Sequence, residues 1–504
     1  MHQYPTIIQG GMGAGVSNWR LANAVSRTGQ MGVVSGTALD VVLARRLADG
    51  DPGGHMRRAM DAFPFPAMAR RIWDRYWSPT GKASNAPYPS VPMQTVEGPR
   101  ESTELCMVSN FVEVFLAREG HNGPVGINYL EKIQLPHLPS LYGAMLAGVH
   151  FVLMGAGIPL KIPGAMDRLA LHQAAEYPVH VAGAPDQNIA LHFDPRDFME
   201  RDLPPLTRPD FLAIISSYTL GVTLLKKSNG KVNGLIIETQ VAGGHNAPPR
   251  GKLQLSATGE PIYGERDAID IEKIRGLGVP FWMAGGYGHP GMLVQALEQG
   301  ATGIQVGTAF AFCRESGLRD DYKQALLSKA LAGNASVFTD PTASPTGFPF
   351  KVAQLEGTCS QQETYAARPR ICDLGFLRGP YLRDDGAIGY RCPSEPVSLY
   401  RSKGGSVEET VGRKCICNAL IANIGHPQVR SGRHWEPGLV TAGDDLASIG
   451  AFLPTGRTSY SAEEVIATLL SQAGPLPTSS SATPGQTKFD AEAAELCLHA
   501  AVSA

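Results

Sequence analysis

The chain has 504 residues, a length that suggests two to four domains, and 43% of them are hydrophobic, so a large core can form. Lysine and arginine number 44 against 46 aspartates and glutamates, and the resulting net charge of −2 argues against a nucleic-acid footprint. The longest apolar runs, such as Gly148-Val-His-Phe-Val-Leu-Met154, are far too short to cross a bilayer. The first residues lack the basic-then-apolar layout of a secretion signal, so a cytoplasmic protein with no membrane partner is expected.

A buried strand is expected at residues 6–9, followed by Gly10-Gly-Met-Gly-Ala-Gly15 and a helix over 18–27. Strand, glycine loop and helix in that order bring backbone N–H groups to a ligand, although such a loop can also be a plain turn. The spacing is not the dinucleotide-binding one. A second strand over 31–34 leads to a helix over 40–48. Residues 50–105 then break the rhythm with a helix-like piece at 56–76 and a proline-rich stretch at 79–99. They read as an insertion packed over one face, with Trp73, Tyr76 and Trp77 as anchors, or as a substrate lid. The rhythm returns with a helix over 103–119, strand three at 124–128, a helix over 138–147 and strand four at 150–154. A helix over 164–177 and an irregular excursion over 179–193 precede strand five at 211–216 and a helix over 219–227. Strand six spans 234–238, and a polar loop at 252–269 and a short helix at 271–276 follow it. Strand seven at 280–284, a helix over 290–299 and strand eight at 303–306 complete the series.

Eight strands alternating with helices predict an α/β fold, a TIM (β/α)8 barrel, over residues 1–330 with the insertion at about 50–105. Residues 331–472 form a C-terminal extension, either a small extra domain or a cap on the barrel, with helices at 417–423 and 462–470. Residues 473–504 read as a low-complexity linker and a short apolar helix, docking on the body or on the second subunit of a homodimer.

Active sites of such barrels lie at the carboxyl ends of the strands. Strand six ends in Glu238-Thr-Gln-Val-Ala-Gly-Gly-His-Asn-Ala-Pro-Pro-Arg-Gly251. Gly243 and Gly244 let the backbone pass close to something flat or bulky, and His245 stands where a proton-transfer residue would be useful. The alternative is a glycine-rich turn with a solvated histidine. Gly285-Gly286 after strand seven and Gly307-Thr308 after strand eight fall at the usual phosphate site of the barrel. Gly11, Met12 and Gly13 face the same mouth from strand one. Asn128 ends strand three and could hydrogen-bond a flat ring or cap its strand. Glu238 could accept a sugar hydroxyl, or pair with Lys161 or Arg250; Gln305 lies beside the phosphate loop.

Ile8-Gln-Gly-Gly-Met-Gly13, Val125-Gly-Ile-Asn128, Ala242-Gly-Gly-His245, Met283-Ala-Gly-Gly286 and Gln305-Val-Gly-Thr308 resemble, in order, the motifs of the nitronate monooxygenase family. The resemblance covers roughly residues 5–330. It implies a barrel that binds FMN without covalent attachment. The implied flavin contacts are Gly11, Met12, Gly13, Asn128, Glu238, Gly243, Gly286, Gln305, Val306, Gly307 and Thr308, and the implied catalytic residue is His245. Two departures stand out: Glu238 replaces a frequent glutamine, and the histidine motif is longer than the family's Gly-Gly-His-Arg-Gly. The same superfamily holds FMN-dependent enoyl reductases of polyketide and polyunsaturated fatty acid synthases, which the insertion and extension fit at least as well. The implied activities are oxidation of an alkyl nitronate with O2, or NAD(P)H-driven reduction of a carrier-bound acyl chain. A flavin-binding accessory protein of a biosynthetic complex is a third reading.

The eight cysteines are scattered as thiols or metal ligands rather than as a disulfide framework. Cys372, Cys392, Cys415 and Cys417 share one segment and could hold zinc, but they lack paired Cys-x-x-Cys knuckles, so free thiols are the default. Cys106, Cys313, Cys359 and Cys497 read as structural.

Overall fold

The computed structural model describes residues 4–184, 188–430 and 434–471. The expected linker and terminal helix of residues 473–504, with Cys497, lie outside them. Eight parallel strands form one sheet: β1 (Ile7–Gln9), β2 (Gly32–Ser35), β3 (Val125–Leu130), β4 (Phe151–Gly155), β5 (Asp210–Ile215), β6 (Gly234–Glu238), β7 (Phe281–Ala284) and β8 (Gly303–Val306). Each pairs with its sequence neighbours, and β8 returns to β1 with Ile7 opposite Ile304 and Gln9 opposite Val306. The ring closes between β1 and β2 through a parallel bridge, Ile8 to Met31, where Gln9 N donates to Met31 O at 2.9 Å. Gln9 Oε1 accepts from Val33 N at 3.0 Å, so a buried side chain extends the ladder where the backbone pairing is short.

The barrel interior is filled by Ile8, Met31, Val33, Phe151, Leu153, Leu212, Ile236, Trp282 and Ala284. Trp282 donates its indole N–H to Pro5 O at 2.8 Å, and this plugs the amino-terminal end. The opposite end is therefore the open mouth.

Three stretches differ from the expectation. The helix-like piece of the insertion is two helices, His55–Asp61 and Pro66–Tyr76, because Pro64 and Pro66 interrupt the run. Tyr76 is buried, Trp73 and Trp77 stack on each other with centroids 4.8 Å apart, and no residue of 50–105 lines the cavity at the mouth. The helix expected over 164–177 stops at Ala170. Residues 175–178 and 190–193 instead pair as an antiparallel hairpin, with Ala175, Tyr177, Leu191 and Phe193 inward and Glu176 and His192 outward. The period-two alternation thus makes strands of 175–178 and 190–193, and the described residues between them are irregular, as expected.

The extension carries antiparallel hairpins at 337–340 with 350–353 and at 379–382 with 388–391, and helices at Ile416–Asn423 and Ala462–Leu470. Ser461 caps the last of these with Glu464 in a reciprocal capping box. Residues 331–471 are fastened to the β6 loop from both sides. Lys351 N donates to Gly244 O at 2.9 Å and Asn246 N to Pro349 O at 2.9 Å. On the other side Asp444 N donates to Val241 O at 3.0 Å and Gly244 N to Thr441 Oγ1 at 2.8 Å.

This clamp leaves no room at Gly243, where a Cβ would lie 2.8 Å from both the Ala442 carbonyl carbon and the Gly443 nitrogen. Gly243→Val should cost ~1–3 kcal/mol by overpacking against backbone. It should lower the urea midpoint and speed proteolysis within the extension. Gly264→Ala, where a Cβ meets nothing within 4 Å, should change neither.

Candidate active site

One cavity occupies the barrel mouth, and all the expected site residues line it. Gly11, Met12 and Gly13 come from the β1 loop and Asn128 from β3; Glu238, Gly243, Gly244 and His245 come from β6 and its loop. Gly285 and Gly286 follow β7, and Gln305, Val306, Gly307 and Thr308 come from β8 and the turn after it. The glycines earn their places by different means. A Cβ at Gly11 would lie 2.5 Å from Asn128 Cβ, and Gly285 and Gly286 adopt left-handed φ of 80° and 78°.

The extension supplies the rest of the wall. Phe350, Phe376, Leu377, Ile416, Cys417 and Leu420 line one side, and residues 441–443 with Asp445 line another. These were not legible in the sequence, because they reach the mouth through folding distances of more than a hundred residues. The one available signal was the alternation Phe348, Phe350, Val352 of a half-buried strand.

His245 is held by groups of this wall. Its Nε2 lies 2.7 Å from Ser344 Oγ, which in turn lies 2.8 Å from Thr346 Oγ1. Its ring packs edge-on against Phe350, centroids 4.8 Å apart, and against Phe348 at 6.5 Å. Lys132 covers the Phe348 ring at 5.0 Å. Enclosure among these rings disfavours the imidazolium and lowers the His245 pKa to about 4. The same enclosure raises the Glu238 carboxyl to about 7. Glu238 has no ion pair with Lys161 or Arg250. Arg250 instead donates to the carbonyls of Arg266 and Ser216.

Gln305 Oε1 is buried with no protein partner, although its side chain lines the cavity. A buried carbonyl oxygen without a donor costs free energy, and a ligand N–H would restore it. The Thr308 hydroxyl accepts from Gly443 N at 3.0 Å.

No three His, Cys, Asp or Glu side chains among the described residues come together as a metal-binding group. The neighbouring Cys392 and burial push the Cys372 thiol pKa up, and Cys417 lies in the cavity wall with its pKa pushed up by burial. No helix among the described residues is long and apolar enough to cross a membrane.

Residues 211–341 match the family model described as nitronate monooxygenase. That stretch holds β5 to β8, the histidine loop and both expected phosphate loops. Among curated proteins, no sequence matches the chain. Solved structures similar to it include FabK from Thermotoga maritima, at 15% identity over 94% of this chain and 93% of that one, TM-score 0.46. A nitroalkane oxidase from Streptomyces ansochromogenes is similar at 15% identity over 93% and 95%, TM-score 0.43. The enoyl reductase domain of MlnA from the macrolactin biosynthesis cluster of Bacillus amyloliquefaciens is similar at 12% identity over 93% and 95%, TM-score 0.43.

The lowered histidine pKa has a consequence for stability. Above pH 6.5 the ring is neutral folded or unfolded and contributes no pH dependence. As pH falls from 6.5 towards 4 the unfolded chain takes up the proton first, so the folded state loses stability. Relative to His245→Asn, the wild type should lose up to about 3 kcal/mol between pH 7 and pH 4 in urea denaturation. A constant difference would mean that the ring titrates normally.

Proposed function

We propose that the protein is an FMN-dependent oxidoreductase whose barrel mouth oxidises stabilised carbanions of the alkyl nitronate type with O2. The observation that carries this reading is His245, kept neutral by its apolar enclosure and aligned through Nε2 by Ser344. A histidine with a pKa near 4 is unprotonated at neutral pH, so it can take a proton from carbon but holds none in reserve to give. With Nε2 engaged by Ser344, Nδ1 is left for the reacting proton.

The residues of the mouth fit a flavin. Gln305 Oε1 lacks a donor of the kind a flavin ring presents, and Asn128 lines the same cavity from within β3. Gly285, Gly286, Gly307 and Thr308 would hold the phosphate, and Gly11, Met12 and Gly13 the opposite rim. A bound flavin would take up an electron from the substrate carbanion so that O2 can add to its carbon; O2 would supply the carbonyl oxygen as the C–N bond breaks and nitrite leaves. The protein's own part is to remove the proton, orient the carbanion and exclude water with the apolar wall of the extension.

A second reading is an NAD(P)H-dependent enoyl reductase acting on carrier-bound acyl chains. It draws on the apolar wall of Phe376, Leu377, Ile416 and Leu420, which suits an acyl chain. In that case Glu238, near pH 7, is a better proton donor than His245. Anaerobic mixing with NADH, NADPH and a nitronate in turn separates the two readings by which one bleaches the flavin.

The purified protein should be yellow and release FMN on denaturation. Recovery of FAD, or no flavin after reconstitution, overturns the flavin reading. His245→Ala should lower turnover of a neutral nitroalkane by ~10²–10⁴-fold with FMN still bound. A preformed nitronate, which needs no proton removed, should suffer less. An equal fall for both substrates would overturn the base role.

A further inference from the structure

The extension places a carboxylate at the phosphate end of the barrel mouth. Asp445 lines the cavity beside Thr308, the residue that closes the expected phosphate loop. Its position is fixed by the neighbouring backbone. A Cβ added at Gly288 would lie 2.8 Å from Asp445 Oδ2, and one at Gly443 would lie 2.7 Å from Asp445 Oδ1 and 3.1 Å from Thr308 Oγ1. The carboxylate is therefore in contact distance of the loop after β7 and of the turn after β8 together. Those are the two loops that would cradle a phosphate.

The charge there is not neutralised by a cation of its own. Among the described residues, no lysine or arginine forms an ion pair with Asp445; the groups that act on it include His289 from the β7 loop, whose Nε2 lies 3.3 Å from Ser448 Oγ, and Asp444 beside it. Asp444 is itself tied to Lys351 at 2.7 Å. From the extension Tyr460 faces the same carboxyl, with its phenol donating to Ala309 O at 2.7 Å. Burial raises the Asp445 pKa above the usual carboxylate value. A flavin phosphate brought to the loops would meet this group at close quarters, in a medium where like charges repel more strongly than in water.

We propose that Asp445 is a specificity-determining residue of the cofactor site: it opposes the phosphate of a flavin and so sets how strongly the mouth prefers a phosphorylated flavin to an unphosphorylated one. The inference rests on the flavin reading of the site. Its consequences follow from linkage. A dianion beside Asp445 favours the protonated carboxyl, so binding of FMN takes up a proton at this residue, and riboflavin, which carries no phosphate, takes up none. A carboxylate here would weaken FMN in particular, because only FMN would bring a phosphate to the loops that Asp445 touches.

The test is flavin binding to the deflavinated protein at pH 8, followed by fluorescence quenching, with FMN and riboflavin as the two probes. Asp445→Asn should tighten FMN by about tenfold or more and leave riboflavin within about twofold. Calorimetry in buffers of different ionisation enthalpy should show proton uptake with FMN in the wild type, lost in the variant. Asp445→Ser, smaller and equally uncharged, should move in the same direction. Equal shifts for both flavins would make Asp445 a structural residue and overturn the proposal, as would an unchanged or weakened FMN affinity. Binding of neither flavin by wild type and variants overturns the flavin reading and this inference with it.

Discussion

The structure of the mouth depends on one interaction: residues 241–246, the loop after β6, are held between two pieces of the extension. Lys351 and Pro349 bond to it on one side, Thr441 and Asp444 on the other. A glycine-rich loop left to itself would sample many conformations, because glycine loses more backbone freedom on ordering than any other residue. Here its carbonyls and amides are held by the chain's own backbone. The extension thus orders the loop that carries His245 and adds the wall that encloses it.

Enclosure then decides the chemistry. His245, Glu238 and Asp445 differ in type, yet burial is the first cause of the shift in each, and each moves towards its neutral form. The buried ion pairs of the extension lie elsewhere. Arg368 pairs with Glu436, and Lys403 with Glu395 at 2.7 Å. A mouth whose His245, Glu238 and Asp445 are each pushed towards the neutral form suits a reaction in which a carbon acid gives up its proton. It also makes the site sensitive to any charge a ligand brings with it, most of all at the Thr308 end.

The barrel was legible because its strands are short, apolar runs that end in glycine, and the helices between them carry the period of 3.6. That the closure between β1 and β2 is a short backbone bridge extended by the Gln9 side chain to Val33 was not. The hairpin at 175–193 was written in its alternation but masked by an apolar helix running into it. The site residues on the barrel were legible as a set because the fold brings the carboxyl ends of all eight strands to one face. Ser344, Phe350 and Asp445 were not. Nothing in Thr441-Ala-Gly-Asp-Asp445 marks its second aspartate, and Ser344 matters only because a histidine ninety-nine positions earlier comes to lie against it.

The glycines themselves divide into two kinds once the neighbours are known. Gly243 is required by the backbone of residues 442–443, Gly11 by the Asn128 side chain, and Gly10 sits close against Gln305. These positions would demand glycine, or nearly so, with no ligand at all. Gly244 is different: its φ of 84° is left-handed and a Cβ there meets nothing within 4 Å. Gly307 faces only the flexible Met12 side chain, at 3.4 Å. A glycine motif read from sequence does not separate approach to a ligand from approach to the chain's own backbone. Of these glycines, Gly244 and Gly307 leave room for a ligand; a Cβ at Gly285 would lie 2.4 Å from Thr239 Oγ1 and 3.1 Å from Ala242 N, so the left-handed turn after β7 is set by the chain's own β6 loop as well as by its φ.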